Sequence, residues 1–248
     1  MMKKNESGRY NRVRIRTAID AEIARADTFN IDIETGPLSP IRIRQKGNAL
    51  SISRPWYWFV FGFFFQLSRA AVRISMPQLL ELEVYDNSWT SVTGFSSAQG
   101  FKLTLSESSS FSGDLKAGNI QLDISDSSQA EYSGSSSELS LKVRDSSSFA
   151  GNIRTDGKAE IEVSSNSAIA LAGSAGNMLA DINNVSNADM KGFSAHDVNI
   201  KLNRLSNAAI NLDGKLDAEI AGSSNLTWVG NPVMGKINVS VGSSCRQE

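Results

Sequence analysis

The sequence predicts an all-β fold, a parallel β-helix or β-solenoid with coils of about nineteen residues. Three observations predict it. Apolar-x-apolar pairs recur at near-constant spacing. A serine follows every pair at a fixed distance. Glycines punctuate most of the repeats.

The second apolar residue of each pair serves as an anchor. The anchors are Val84, Leu105, Ile124, Val143, Val163, Ile182, Leu202, Ile220 and Val239, at intervals of 21, 19, 19, 20, 19, 20, 18 and 19. Two residues earlier stand Leu82, Leu103, Leu122, Leu141, Ile161, Ala180, Ile200, Ala218 and Ile237, all apolar. Four residues later stand Ser88, Ser109, Ser128, Ser147, Ser167, Ser186, Ser206, Ser224 and Ser243. Positions six past the anchor, such as Phe111, Phe149, Ile169 and Leu226, are mostly small or apolar.

Apolar residues two apart with polar ones between are the mark of a half-buried strand. Ser, Asn, Asp and Gly at the intervening positions disfavour helix. The serine is placed to end the strand, its hydroxyl bonding nearby backbone. A second short strand follows. Gly94, Gly113, Gly134, Gly151, Gly173, Gly192, Gly214 and Gly230 are then expected at corners where φ is positive. One such turn cannot bury its own apolar face. Stacked turns can, each strand pairing with its counterpart in the next coil. The serines would form a column along the stack.

The N-terminal third carries the same alternation less regularly, in Val13/Ile15, Ile31/Ile33, Ile41/Ile43, Leu50/Ile52 and Val72/Ile74. The expected layout is a disordered basic N-terminus at 1–9 and one solenoid domain at 10–244. Within it, 10–78 are irregular opening coils or a cap, and 79–244 the regular repeats. A polar tail occupies 245–248. Charge divides the same way. Residues 1–75 hold 13 Lys and Arg against 6 Asp and Glu; residues 76–248 hold 12 against 20. The net charge of −1 argues against nucleic acid as a partner.

One segment breaks the pattern. Residues 55–67 read PWYWFVFGFFFQL, with Trp56, Tyr57, Trp58, Phe59, Phe61, Phe63, Phe64 and Phe65 flanked by Arg54, Arg69 and Arg73. The run is too short to span a bilayer as a helix. Three readings stay open: a plug capping the solenoid, an aromatic loop in a membrane interface with arginines toward anionic headgroups, or a self-association surface.

Motifs for chemistry are weak. Asp86, Glu107, Asp126 and Asp145 lie two past the first four anchors and would stack as an acidic column, a weak metal candidate. Turn chemistry explains them as well, and the column decays to Ser165, Asn184 and Arg204. Lys142 and Arg144 beside Asp123 and Asp145 suit a solvated charged face. The single His196 and single Cys245 leave little for a zinc site or a triad. Trp89, Trp228 and Tyr132 could stack on sugars if exposed. No cofactor motif is present. The N-terminus, MMKKNESGRYNRVRIR, lacks the apolar run of a secretory signal, so a cytoplasmic location is expected if this start is correct.

The order of short opening strands, MPQLLELEVYDNSW, and coils such as GNIQLDISDSSQAEYSG and GKAEIEVSSNSAIALAG resembles the putative auto-transporter adhesin head GIN domain family, from about Tyr10 to Ser244. The resemblance implies a right-handed parallel β-helix-like domain, commonly in exported or envelope proteins of bacteria. It implies no catalytic residue. The chain departs from the family in its start and in the 55–67 insertion. The expected function is a non-enzymatic structural, adhesive or binding role at the cell envelope. Expected partners are a membrane surface or a second copy through 55–67, and a glycan or protein ligand. The alternatives are a carbohydrate-active β-helix lyase or hydrolase, and a polymerising scaffold.

Overall fold

The computed structural model describes residues 2–3, 9–34, 40–55 and 70–248. No helix occurs among the described residues. The opening strands are β1 (Met2–Lys3), β2 (Arg12–Ile15), β3 (Ile19–Arg25), β4 (Asn30–Glu34), β5 (Arg42–Lys46), β6 (Ala49–Ser53) and β7 (Ala70–Met76). The regular coils hold β8 (Glu81–Val84), β9 (Trp89–Ser96), β10 (Phe101–Leu105), β11 (Ser110–Lys116), β12 (Asn119–Ile124), β13 (Gln129–Ser136), β14 (Glu138–Val143), β15 (Ser148–Thr155) and β16 (Lys158–Val163). They continue through β17 (Ala168–Ile182), β18 (Asn187–Leu202), β19 (Asn207–Leu212), β20 (Lys215–Ile220), β21 (Asn225–Val229), β22 (Val233–Val239) and β23 (Ser244–Gln247).

The strands stack in two parallel columns. One holds the anchor pairs: β6, β2, β8, β10, β12, β14, β16, the second halves of β17 and β18, β20 and β22. The other holds β7, β3, β9, β11, β13, β15, the first halves of β17 and β18, β19, β21 and β23. Leu82, Leu103, Leu122 and Leu141 lie directly over one another, each in register with the next. Apolar residues of both columns meet in one core running from Tyr10 to Trp228.

The corner between the columns is the unit that repeats most faithfully. The residues two and three past the anchor both take left-handed backbone. The pairs are Asp86–Asn87, Glu107–Ser108, Asp126–Ser127, Asp145–Ser146, Ser165–Asn166, Asn184–Val185, Arg204–Leu205 and Gly222–Ser223, with φ between 55° and 64°. Such backbone costs a non-glycine residue roughly 1–2 kcal/mol. Contacts between coils offset it. The second residue's N–H donates to the first residue's carbonyl one coil on: Asn87 to Glu107 at 2.8 Å, Ser127 to Asp145 at 2.9 Å, Val185 to Arg204 at 2.9 Å.

The buried serine follows. Its N–H donates to the hydroxyl oxygen of the next coil's serine, from Ser88 to Ser109 at 3.3 Å through to Ser224 to Ser243 at 3.2 Å. The expected serine column therefore exists, and its bonds run between coils. Of the glycines expected at corners, Gly94, Gly173 and Gly230 do take positive φ, at 81°, 118° and 105°. Gly113, Gly134 and Gly151 lie inside β11, β13 and β15 without positive φ. Their role is space: a Cβ on Gly151 would lie 2.6 Å from Phe149 Cζ and 2.9 Å from the Tyr132 carbonyl.

The opening strands are coils too, in an order the chain does not follow. β2 and β3 form a complete coil whose corner is Thr17–Ala18, with φ of 72° and 53°, and Ile19 stands where the serine would be. That coil is sandwiched between β6–β7 on one side and β8–β9 on the other. Three antiparallel strands close the end: β5 on β6, β4 on β7 and β1 on β4. Met2 and Lys3 thus belong to the sheet, which corrects the disordered assignment for those two residues. At the other end Ser244–Gln247 pairs in parallel with β21 and is a strand, not a tail. Its backbone completes the ladder that β21 would otherwise leave open.

Candidate functional site

The aromatic segment has a defined place in the coil plan. Three residues join β2 to β3 at the corner, whereas sixteen join β6 to β7 at the equivalent corner of the neighbouring coil. The chain thus enters and leaves the insertion at one corner of the end coil, the one on which β5 and β4 close the solenoid. Trp56, Tyr57, Trp58, Phe59, Phe61, Phe63, Phe64, Phe65 and Arg69 lie outside the described residues. Arg54 is buried, 5% exposed. Arg73 is held by Glu22 at 3.0 Å and Glu34 at 2.7 Å across β3, β7 and β4.

The acidic residues two past the anchor sit on the left-handed corners. Glu107 has its carboxyl held above the usual range by a hydrogen bond with Asp86, with burial adding to the effect. Among the described residues no group of three or more His, Cys, Asp or Glu is arranged to hold a metal ion. Arg144 reaches Asp123 at 3.0 Å and Lys142 reaches Glu162 at 2.9 Å, so these charges pair along the sheet face. Tyr132 is buried, its hydroxyl donating to the Leu115 carbonyl at 2.8 Å, and burial pushes its phenol well up. Trp228 is also buried, while Trp89 is exposed. Only Trp89 of the three offers a face to solvent. His196 is exposed and its Nδ1 bonds Asp213 at 2.9 Å; that bond raises its pKa.

The sequence reading missed the basic rows that β2, β5 and β6 assemble at the capped end. Arg12 and Arg14 alternate with buried Val13 and Ile15, and Arg42 and Arg44 alternate with Ile43. The signal was present as basic residues at period two. Their meeting depends on strand order. Arg12 bonds Glu81 at 3.2 Å and Arg14 bonds Glu83. Arg16 packs over the Tyr85 ring at 4.9 Å. The opposite end exposes Val233, Met234, Val239 and Val241 along the unpaired side of the last coil.

No curated protein matches the chain. Solved structures match its fold. A putative adhesin from Parabacteroides merdae superposes with a TM-score of 0.73 at 15% identity, covering 100% of this chain and 95% of that one. A putative adhesin from Parabacteroides distasonis gives 0.70 at 16% identity, with the same coverage. A putative lipid binding protein from Parabacteroides distasonis gives 0.66 at 13% identity, again with the same coverage. At these identities the likeness is one of fold. A family profile matches residues 9–163 and 138–232, so together the matches span the solenoid from the coil of β2 and β3 to the last regular corner. The chain belongs to the family described as putative auto-transporter adhesin, head GIN domain.

Proposed function

We propose that this protein is a non-enzymatic binding solenoid of the bacterial cell envelope. Its coils form a rigid body, and the 55–67 segment makes contact with a membrane surface. The observation that carries this reading is the single corner at which three residues become sixteen. The added residues are rich in Trp, Tyr and Phe, which suit the headgroup level of a bilayer. The naming of one fold relative as a putative lipid binding protein supports the same direction. Deleting 56–66 is expected to abolish binding to vesicles of phosphatidylglycerol while leaving the β-rich circular dichroism unchanged. Binding that survives the deletion contradicts the reading.

A second reading, self-association, has its own observation at the other end. Val233 is 71% exposed and Val241 fully exposed beside the open edge of β22. Two copies meeting there with antiparallel β22 strands and Ile237 on the dyad would place Lys236 opposite Asn238, with no like charges opposed. Sedimentation velocity tests it. A dimer that Val239→Lys converts to monomer supports it, and a wild-type monomer at high concentration removes it.

A further inference from the structure

The outer face of the capped end carries a trough whose walls are cationic and whose floor is small. Register builds it. Lys46 stands opposite Ala49, and Ala49 opposite Arg12; Arg44 stands opposite Ser51, and Ser51 opposite Arg14. Leu50 and Ile52 point into the core, so Ala49 and Ser51 point out. Two rows therefore cross three strands, Lys46–Ala49–Arg12 and Arg44–Ser51–Arg14. Strands lie about 4.8 Å apart, so the cationic walls stand roughly 10 Å apart across the small floor. The trough holds about 360 Å³, and Glu81 and Glu83 border it behind the arginines. Four cations face two carboxylates there, an excess of two positive charges. Glu81 and Glu83 engage Arg12 and Arg14 from the far side. Arg44 and Lys46 make no ion pair with the described residues.

We infer that this trough binds the phosphate of an anionic lipid headgroup. A phosphate offers several acceptor oxygens to guanidinium and ammonium donors from both walls, and the Ser51 hydroxyl lies on the floor between them. A larger side chain at Ala49 or Ser51 would fill the space the anion needs. The lipid source is favoured because β6, the strand that forms the floor, runs directly into Arg54, Pro55 and the aromatic segment. This assignment rests on the membrane reading above and names the group that would be recognised.

The test uses the full chain with vesicles of phosphatidylglycerol, vesicles of phosphatidylcholine, and inorganic phosphate as probes. The wild type is expected to bind the first and not the second. Arg44→Ser with Lys46→Ser is expected to weaken that binding about thirtyfold, since each Lys or Arg near an anionic surface contributes about fivefold. Both side chains are exposed, and unchanged circular dichroism and melting would show the fold intact. Glu83→Gln is expected to strengthen binding about fivefold by removing a competing carboxylate. A double variant that binds phosphatidylglycerol like the wild type overturns the proposal, as does a Glu83→Gln variant that binds more weakly. Saturable binding of inorganic phosphate without vesicle binding overturns the lipid assignment. Deletion of 56–66 separates the two readings. If the deleted chain still binds vesicles and the double variant does not, the trough stands and the segment reading falls. If both lose vesicle binding, and only the double variant also loses inorganic phosphate, the trough stands and the segment delivers it to the membrane.

Discussion

Replacing Ser147 by Ala is expected to destabilise the solenoid by about 1–3 kcal/mol, because it leaves a buried donor without an acceptor. The geometry fixes the magnitude. Ser128 and Ser147 are 0% and 2% exposed, and the Ser128 N–H donates to Ser147 Oγ at 3.1 Å. Its neighbours in sequence are satisfied elsewhere, Ser127 N–H by the Asp145 carbonyl and Gln129 N–H by the Ser109 carbonyl. The methyl of alanine fills nearly the same space, so the loss is one of hydrogen bonding and not of packing. For a chain of this length 1 kcal/mol moves the melting temperature by about 2–4 °C, which puts the expected drop near 6 °C. Ser146→Ala is the control. That side chain is exposed on the same corner, and its removal is expected to shift stability by no more than about 0.5 kcal/mol. Thermal melting by circular dichroism reads the global effect, and amide exchange at Ser128 reads the local one. If Ser147→Ala melts with the wild type and Ser128 stays protected, the serine column is not what fixes one coil on the next.

Val185→Gly is expected to stabilise the protein by about 0.5–1 kcal/mol in thermal melts. Left-handed backbone costs roughly 1–2 kcal/mol at a residue with a Cβ, and glycine's freedom in the unfolded chain returns about 0.4–1. Val185 has φ of 64° and is 51% exposed, so little packing is lost. The single His196 is expected to titrate above 6.5 by nuclear magnetic resonance, and Asp213→Asn to bring it down. Because its folded pKa is raised, the stability this pair contributes is complete below the unfolded value and fades as pH rises through the folded one. An unchanged titration in Asp213→Asn would remove the hydrogen bond as the cause.

The regular coils could be read from the sequence because each coil repeats the same local demands. An apolar pair specifies a strand, and Ser128 or Ser147 at one phase specifies a column. The left-handed pair two and three past the anchor was not legible, for a physical reason. Positive φ is usually glycine's territory, but here stacked carbonyls hold Asp126–Ser127 and even Val185 in it. Strand order at the capped end was hidden because Val13-x-Ile15 and Leu50-x-Ile52 are equivalent patterns. Nothing local says that the coil of β2 and β3 is slotted between β6–β7 and β8–β9. The cationic trough was hidden with it, since Lys46 and Arg12 come to flank Ala49 only through that order. The aromatic segment was visible in composition, and the fold adds where it is attached.

Hydrogen–deuterium exchange of the intact chain with phosphatidylglycerol vesicles tests the assignment of binding to the capped end most directly. Slowed exchange is expected in β2, β5, β6 and β7, with the coils from β10 to β23 unchanged. Slowed exchange in the late coils, or none anywhere while the vesicles bind, would contradict it.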